Sequence, residues 1–112
     1  MRIINRIEFL KLPENTLYMC YKPQIYGDLE IKLRTLENDY YVQYLHGSIE
    51  GTECSSSNFD AHDKALETGE TFRFEQTTSR DGCFDDDSTL YAVYDNEDII
   101  QLINELAKCL KP

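Results

Sequence analysis

Between Leu29 and Arg34 the side chains alternate strictly: Leu29, Ile31 and Leu33 are apolar, and Glu30, Lys32 and Arg34 are charged. A period of two fits a strand with one apolar face and one wet face. Such a strand needs strand neighbours and a covering layer, so it limits the folds open to the chain. Two neighbours lie close by. Leu17–Tyr21 reads as a buried strand ended by Pro23. Tyr40–Leu45 follows an Asn38-Asp39 turn signal and is rich in β-forming residues. The three together fit an antiparallel meander.

Helical signals bracket this core. Asn5 with Glu8 three residues later fits a capping box. Ile3, Ile7 and Leu10 mark one side of a short helix that Pro13 stops. Gly47–Ser57 reads as a polar loop. A second helix is expected from Ser57 or Asn58, with Phe59, His62, Ala65 and Leu66 on one side and Gly69 at its end. Phe72 and Phe74 alternate with Arg73 and Glu75 as a fourth strand. Thr77–Ser88 reads as the main irregular loop, and Leu90–Tyr94 as a central fifth strand. Asp95 or Asn96 caps a last helix over about 96–110. Its expected buried stripe is Ile99, Ile103, Leu106 and Leu110, widened by Ile100, Leu102 and Ala107.

The order is therefore αβββαββα. Strands that cluster in runs, without strict βαβ alternation, predict an α+β fold: a mostly antiparallel five-stranded sheet with three helices. No repeat or linker divides the chain, so residues 1–112 form a single domain. The apolar content of 41% is that of a chain with a real core, despite a net charge of −10. No stretch reaches the roughly 20 apolar residues that span a bilayer. The charged N-terminus does not fit a secretory signal. A cytoplasmic location is expected, with Cys20, Cys54, Cys83 and Cys109 as reduced thiols. These cysteines lack the close ligand pairs of a zinc site, so no metal and no cofactor is expected.

Charge is distributed unevenly. Residues 1–34 carry six basic and four acidic groups, and residues 35–112 carry five basic and seventeen acidic groups, so +2 stands against −12. Such a field disfavours nucleic acid and anionic membrane and favours basic surfaces or cations. The densest acid lies in the loop Arg80-Asp81-Gly82-Cys83-Phe84-Asp85-Asp86-Asp87. It lacks the alternating oxygen ligands of a calcium loop. It reads as a solvated turn or as a docking site for a basic partner, in which Arg80, Asp81, Asp85, Asp86 and Asp87 are the candidate binding residues.

Eight tyrosines without a tryptophan serve either as strand and core filling or as an interface. Tyr40 and Tyr41 point to opposite faces of one strand, so one of them is expected to be exposed and to join the binding residues. Asp60, Asp63 and Glu67 recur on one stripe of the second helix, either as an ordinary polar face or as a mimic of phosphates. His46 and His62 are expected to be structural, with His62 half-buried. Cys54 and His62 form only a chance pair by spacing. No phosphate-binding, hydrolase or zincin motif occurs, so no catalytic residue is assigned.

Four segments together resemble small uncharacterised proteins of bacteriophages and prophages. They are Arg2 to Tyr18 at the start, the Tyr-Gly-Asp-Leu-Glu-Ile-Lys run around Leu29, the Asn38-Asp39-Tyr40 step and the Arg80–Asp85 loop. The resemblance implies a phage-related accessory protein of the bacterial cytoplasm that works by binding a host protein. The expected function is docking on a basic host surface, with inhibition of a nucleic-acid-handling or defence enzyme as one consequence. The alternative is a small-molecule binder or minor enzyme with a pocket near Arg80 and its carboxylates.

Overall fold

The computed structural model describes residues 1–52, 55–80 and 86–112. Among them the chain forms β1 (Arg2–Asn5), α1 (Arg6–Leu10), β2 (Thr16–Lys22), β3 (Ile25–Tyr26), β4 (Glu30–Leu36), β5 (Asp39–Ile49), α2 (Ser55–Thr68), β6 (Phe74–Arg80), β7 (Leu90–Val93) and α3 (Asn96–Ala107). The class is α+β with one antiparallel sheet and three helices, as expected. The sheet has seven strands, not five, in the order β1-β7-β2-β4-β5-β6, with β3 folded back on β2.

The two additional strands come from segments with weak strand signals. Arg2–Asn5 pairs with β7 from Arg2↔Val93 to Asn5↔Leu90, so Ile3 belongs to a strand and not to the first helix. Pro23 and Gln24 turn the chain so that Ile25 and Tyr26 pair with Lys22 and Tyr21. Gln24 takes the left-handed φ of 62° that a turn after proline requires. The chain reverses between β4 and β5 at Glu37-Asn38, one residue earlier than expected, because Glu37 adopts φ 52° and Asp39 already pairs with Leu36.

β5 extends into the expected Gly47–Ser57 loop as far as Ile49, and β6 extends into the expected Thr77–Ser88 loop as far as Arg80. A register shift between Tyr44 and Ser48 bends this pair. Gly47 sits in the shift at φ 64°, and a Cβ there would lie 2.4 Å from the Glu75 carbonyl oxygen. Only glycine fits that position.

The core lies on one face of the sheet, under α1. Phe9 is fully buried among Tyr18, Tyr40 and Tyr91, with Val42 and Val93 completing the cluster. The short helix is held by its cap, the Asn5 side chain accepting from the Glu8 N–H at 2.9 Å. The polar alternation of β4 comes out reversed. Glu30 and Lys32 pair with Tyr18 and Thr16 and lie on the core face, and Lys32 is fully buried. Ile31 lies on the opposite, open face. The expected wet face is the covered one because the aliphatic stem of Lys32 packs under the aromatic cluster. Its ammonium donates to the carbonyls of Leu12 and Leu33 and to Thr35 Oγ1.

The long helices are not packed as expected. α3 begins at the Asp95 cap, where Asp95 and Asp98 form a reciprocal capping box, yet none of its residues is buried. Ile99 and Leu102 are half-buried, while Ile103 is 58% exposed and Leu106 and Leu110 are more so. The loss of about 2–5 kcal/mol expected on truncating a buried Ile103 therefore does not apply within one chain. α2 starts at Ser55 and, among its described side chains, buries only Ala61, and His62, expected to be half-buried, is exposed. One helix lying over a six-strand path covers only part of it. Strands at about 4.8 Å span about 24 Å, and a helix with its side chains is about 10–12 Å across.

Candidate functional site

The expected binding residues that are described divide among three places. Tyr40 belongs to the core and is unavailable to any partner. Tyr41, on the other face of β5, is half-buried, with the Arg34 guanidinium 4.9 Å from its ring centre. Arg80 pairs with Tyr41 across the β5–β6 ladder and donates to the Asp39 carboxylate. Asp86 and Asp87 are exposed ahead of β7, with β2, β4 and β5 lying between β7 and β6. Arg80 and the Asp86-Asp87 pair are thus not brought together. Asp81, Asp85 and Cys54 lie outside the described residues, as does Cys83. Cys20 and Cys109 form no disulfide among the described residues. Among the described residues no cluster of His, Cys, Asp and Glu is arranged to hold a metal ion.

Asp86 has a local structural role. Its Oδ1 accepts from the Ser88 N–H at 2.9 Å and from the Ser88 hydroxyl at 2.5 Å, closing a tight turn before β7. The Ser88 side chain, followed by the other donors of Ser88 and Thr89, holds the Asp86 carboxyl below the usual carboxylate range.

Asp39 is a buried carboxylate. Burial alone pushes it up, but the Arg80 hydrogen bond, the Tyr40 N–H at 2.7 Å and the charges of Arg80 and Arg6 outweigh that and hold it below the ordinary value. A lowered folded pKa contributes stability that is complete above the unfolded value near 3.8 and is lost as the pH falls through the folded value. Asp39→Asn is expected to cost about 1–2 kcal/mol at pH 7, allowing for solvent around the exposed Arg80. The difference from wild type shrinks below about pH 4. Urea unfolding at several pH values measures this, and equal stability at neutral pH would show that the pair contributes nothing.

Two surfaces remain as candidate sites. The first is α2. Asp60, Asp63 and Glu67 are exposed along it and form no ion pair among the described residues, and Phe59 and Leu66 stand 66% and 74% exposed on the same helix. The alternation of acid and apolar positions was legible, but not that both kinds would face solvent.

The second is a groove of about 700 Å³ on the open face of the sheet. Leu17, Ile31 and Leu45 of β2, β4 and β5 form its floor, and Ile99, Leu102, Ile103 and Leu106 of α3 form its wall. Asn15, Asp28 and His46 provide its polar edge. His46 stacks on Tyr44 with ring centres 5.4 Å apart. None of the expected binding residues among those described, Arg80, Asp86, Asp87, Tyr40 and Tyr41, lines this groove. Its residues were visible in the sequence only as core positions, because an apolar stripe looks the same whether or not another element covers it.

The chain matches no protein-family model, and comparison with curated proteins and with solved structures gives no match.

Proposed function

We propose that this chain is a phage-related accessory protein that binds a basic surface of a bacterial host protein and acts by binding rather than by catalysis. The observation that carries the reading is α2. Its three carboxylates, Asp60, Asp63 and Glu67, form no ion pair among the described residues and lie beside exposed Phe59 and Leu66. Apolar anchors within a rim of charge are what a docking surface uses, the anchors for affinity and the rim for steering. The net charge of −10 adds long-range attraction to a basic partner. Asp87 extends the acidic field, whereas Asp86 is engaged in its own turn.

The test uses the chain with Asp60→Asn, Asp63→Asn and Glu67→Gln against wild type. A protein captured from bacterial lysate by wild type is identified, purified and measured at low and high salt. The variant is expected to associate about tenfold more slowly at low salt, with a flatter salt dependence and unchanged folding. Equal rates and equal salt slopes for the two chains would reduce the stripe to an ordinary polar helix face.

A further inference from the structure

We propose that the α3 groove is filled by a second copy of this chain, so that the working form is a homodimer in which two α3 helices lie between two sheets. The first argument is area. The chain exposes 8403 Å², whereas a compact monomer of its mass, 13.1 kDa, exposes about 6,400 Å². The excess of about 2,000 Å² exceeds the roughly 800 Å² per partner of a standard interface and falls in the range of obligate dimers. The radius of gyration agrees, at 16.6 Å against about 13 Å for a compact chain of this length. Part of the excess belongs to α2, which carries Phe59 and Leu66 into solvent.

The second argument is coverage. α3 shields one side of the open face and leaves Leu17, Ile31 and Leu45 as the floor of an apolar groove of about 700 Å³. The same helix presents an exposed apolar stripe of Ile100, Ile103 and Leu106, and Leu110 just beyond its end is exposed as well. Groove and stripe are complementary in chemistry and lie on one molecule. A two-fold axis can therefore place each stripe in the other copy's groove, with the α3 helices antiparallel.

The third argument is charge, and it separates this surface from α2. Asp98 meets the Met1 ammonium at 2.6 Å, and Glu105 meets Lys108 at 3.0 Å. The groove lining itself contains one carboxylate, Asp28, and no lysine or arginine. A nearly neutral apolar face calls for an apolar partner, not a basic one. Because each copy carries −10 overall, distant repulsion opposes pairing, and salt screens it.

The full chain is expected to sediment at twice 13.1 kDa, with the dimer strengthening as salt is raised, the opposite of binding to a basic host protein. Ile103→Asp and Leu106→Asp, each exposed in the single chain, are expected to halve the mass while leaving the circular dichroism unchanged. Leu66→Asp on α2 should leave the dimer intact. Amide exchange supplies a second readout that needs no variant. Protection of α3 and of the groove strands should rise with protein concentration. A wild-type monomer at about 100 µM in high salt, which implies a dissociation constant weaker than that, would overturn the proposal. So would a dimer that survives Ile103→Asp and Leu106→Asp, or a monomer whose groove is occupied by a basic amphipathic peptide.

Discussion

Phe9→Ala is expected to lower the stability of the chain by about 3–5 kcal/mol, the range for deleting a buried aromatic ring. Phe9 is fully buried and stacks on Tyr91 with ring centres 3.9 Å apart and planes within 4°. It also meets Tyr18 at 4.6 Å and Tyr40 edge-on at 5.1 Å. Such pairs contribute about 0.5–1.5 kcal/mol each beyond their buried area. α1 has only five residues, too few to hold a helix alone, so Phe9 fastens the helix to the sheet. Ile7, on the same helix, is largely exposed, and Ile7→Ala should cost under about 0.5 kcal/mol. Urea unfolding of the two variants makes the comparison. A loss below about 1 kcal/mol for Phe9→Ala would mean that this face is not the core.

Lys32→Met is expected to cost about 2–4 kcal/mol, although methionine keeps most of the stem and adds no volume. The ammonium donates to Leu12 O at 2.9 Å, Leu33 O at 3.1 Å and Thr35 Oγ1 at 2.7 Å. Thr35 in turn donates to Leu10 O at 2.9 Å. Removing the donor leaves acceptors without a partner around the segment that joins α1 to β2, at about 1–3 kcal/mol for each one left buried. Burial lowers the Lys32 pKa, with the charge of Glu14 acting weakly the other way. Between the lowered folded value and the ordinary 10.5, the unfolded chain binds a proton that the folded chain does not. Stability therefore rises with pH across that window. The variant should lose this alkaline rise along with its stability at neutral pH. A variant as stable as wild type, with the same alkaline slope, would show that the ammonium is solvated and not enclosed.

The Arg6 side chain adds a third buried polar tie on the same face. Its Nη1 donates to the Tyr91 hydroxyl at 2.9 Å, and its other Nη group donates to the Asn38 carbonyl. The Tyr18 hydroxyl donates to Glu30 Oε2 at 2.8 Å, and burial, above all, pushes its pKa up, so it stays a neutral donor. A core built from tyrosines, an arginine and a lysine leaves no buried side-chain polar atom unpaired among the described residues. It needs every one of these contacts to remain so.

Local structure was largely legible in the residues themselves. The Asn5 and Asp95 caps, the period of β4, the strand character of Leu17–Tyr21 and Tyr40–Leu45, and the α+β class follow from interactions within a few residues. The short strands β1 and β3 were missed because four residues or fewer carry no usable period. β1 owes its pairing to β7, which lies more than eighty residues further along the chain. Of the expected binding residues, Arg80 and Tyr41 do meet across one ladder, but Tyr40 is inside the core and Asp86 closes a turn.

What the sequence alone determined is where the chain would be extended or helical and how its charge is divided, because backbone propensity, capping and charge are short-range or additive properties. Which face of the sheet would be covered was decided only by tertiary structure. The alternation in β4 assigns Leu29, Ile31 and Leu33 to the interior. The fold instead turns Glu30 and Lys32 to the core side and buries Lys32, because Phe9, Tyr18, Tyr40 and Tyr91 arrive from four separate segments on that side. The apolar stripe of α3 is equally clear in the sequence, but burial is a property of what lies opposite, and one chain supplies too little to cover it.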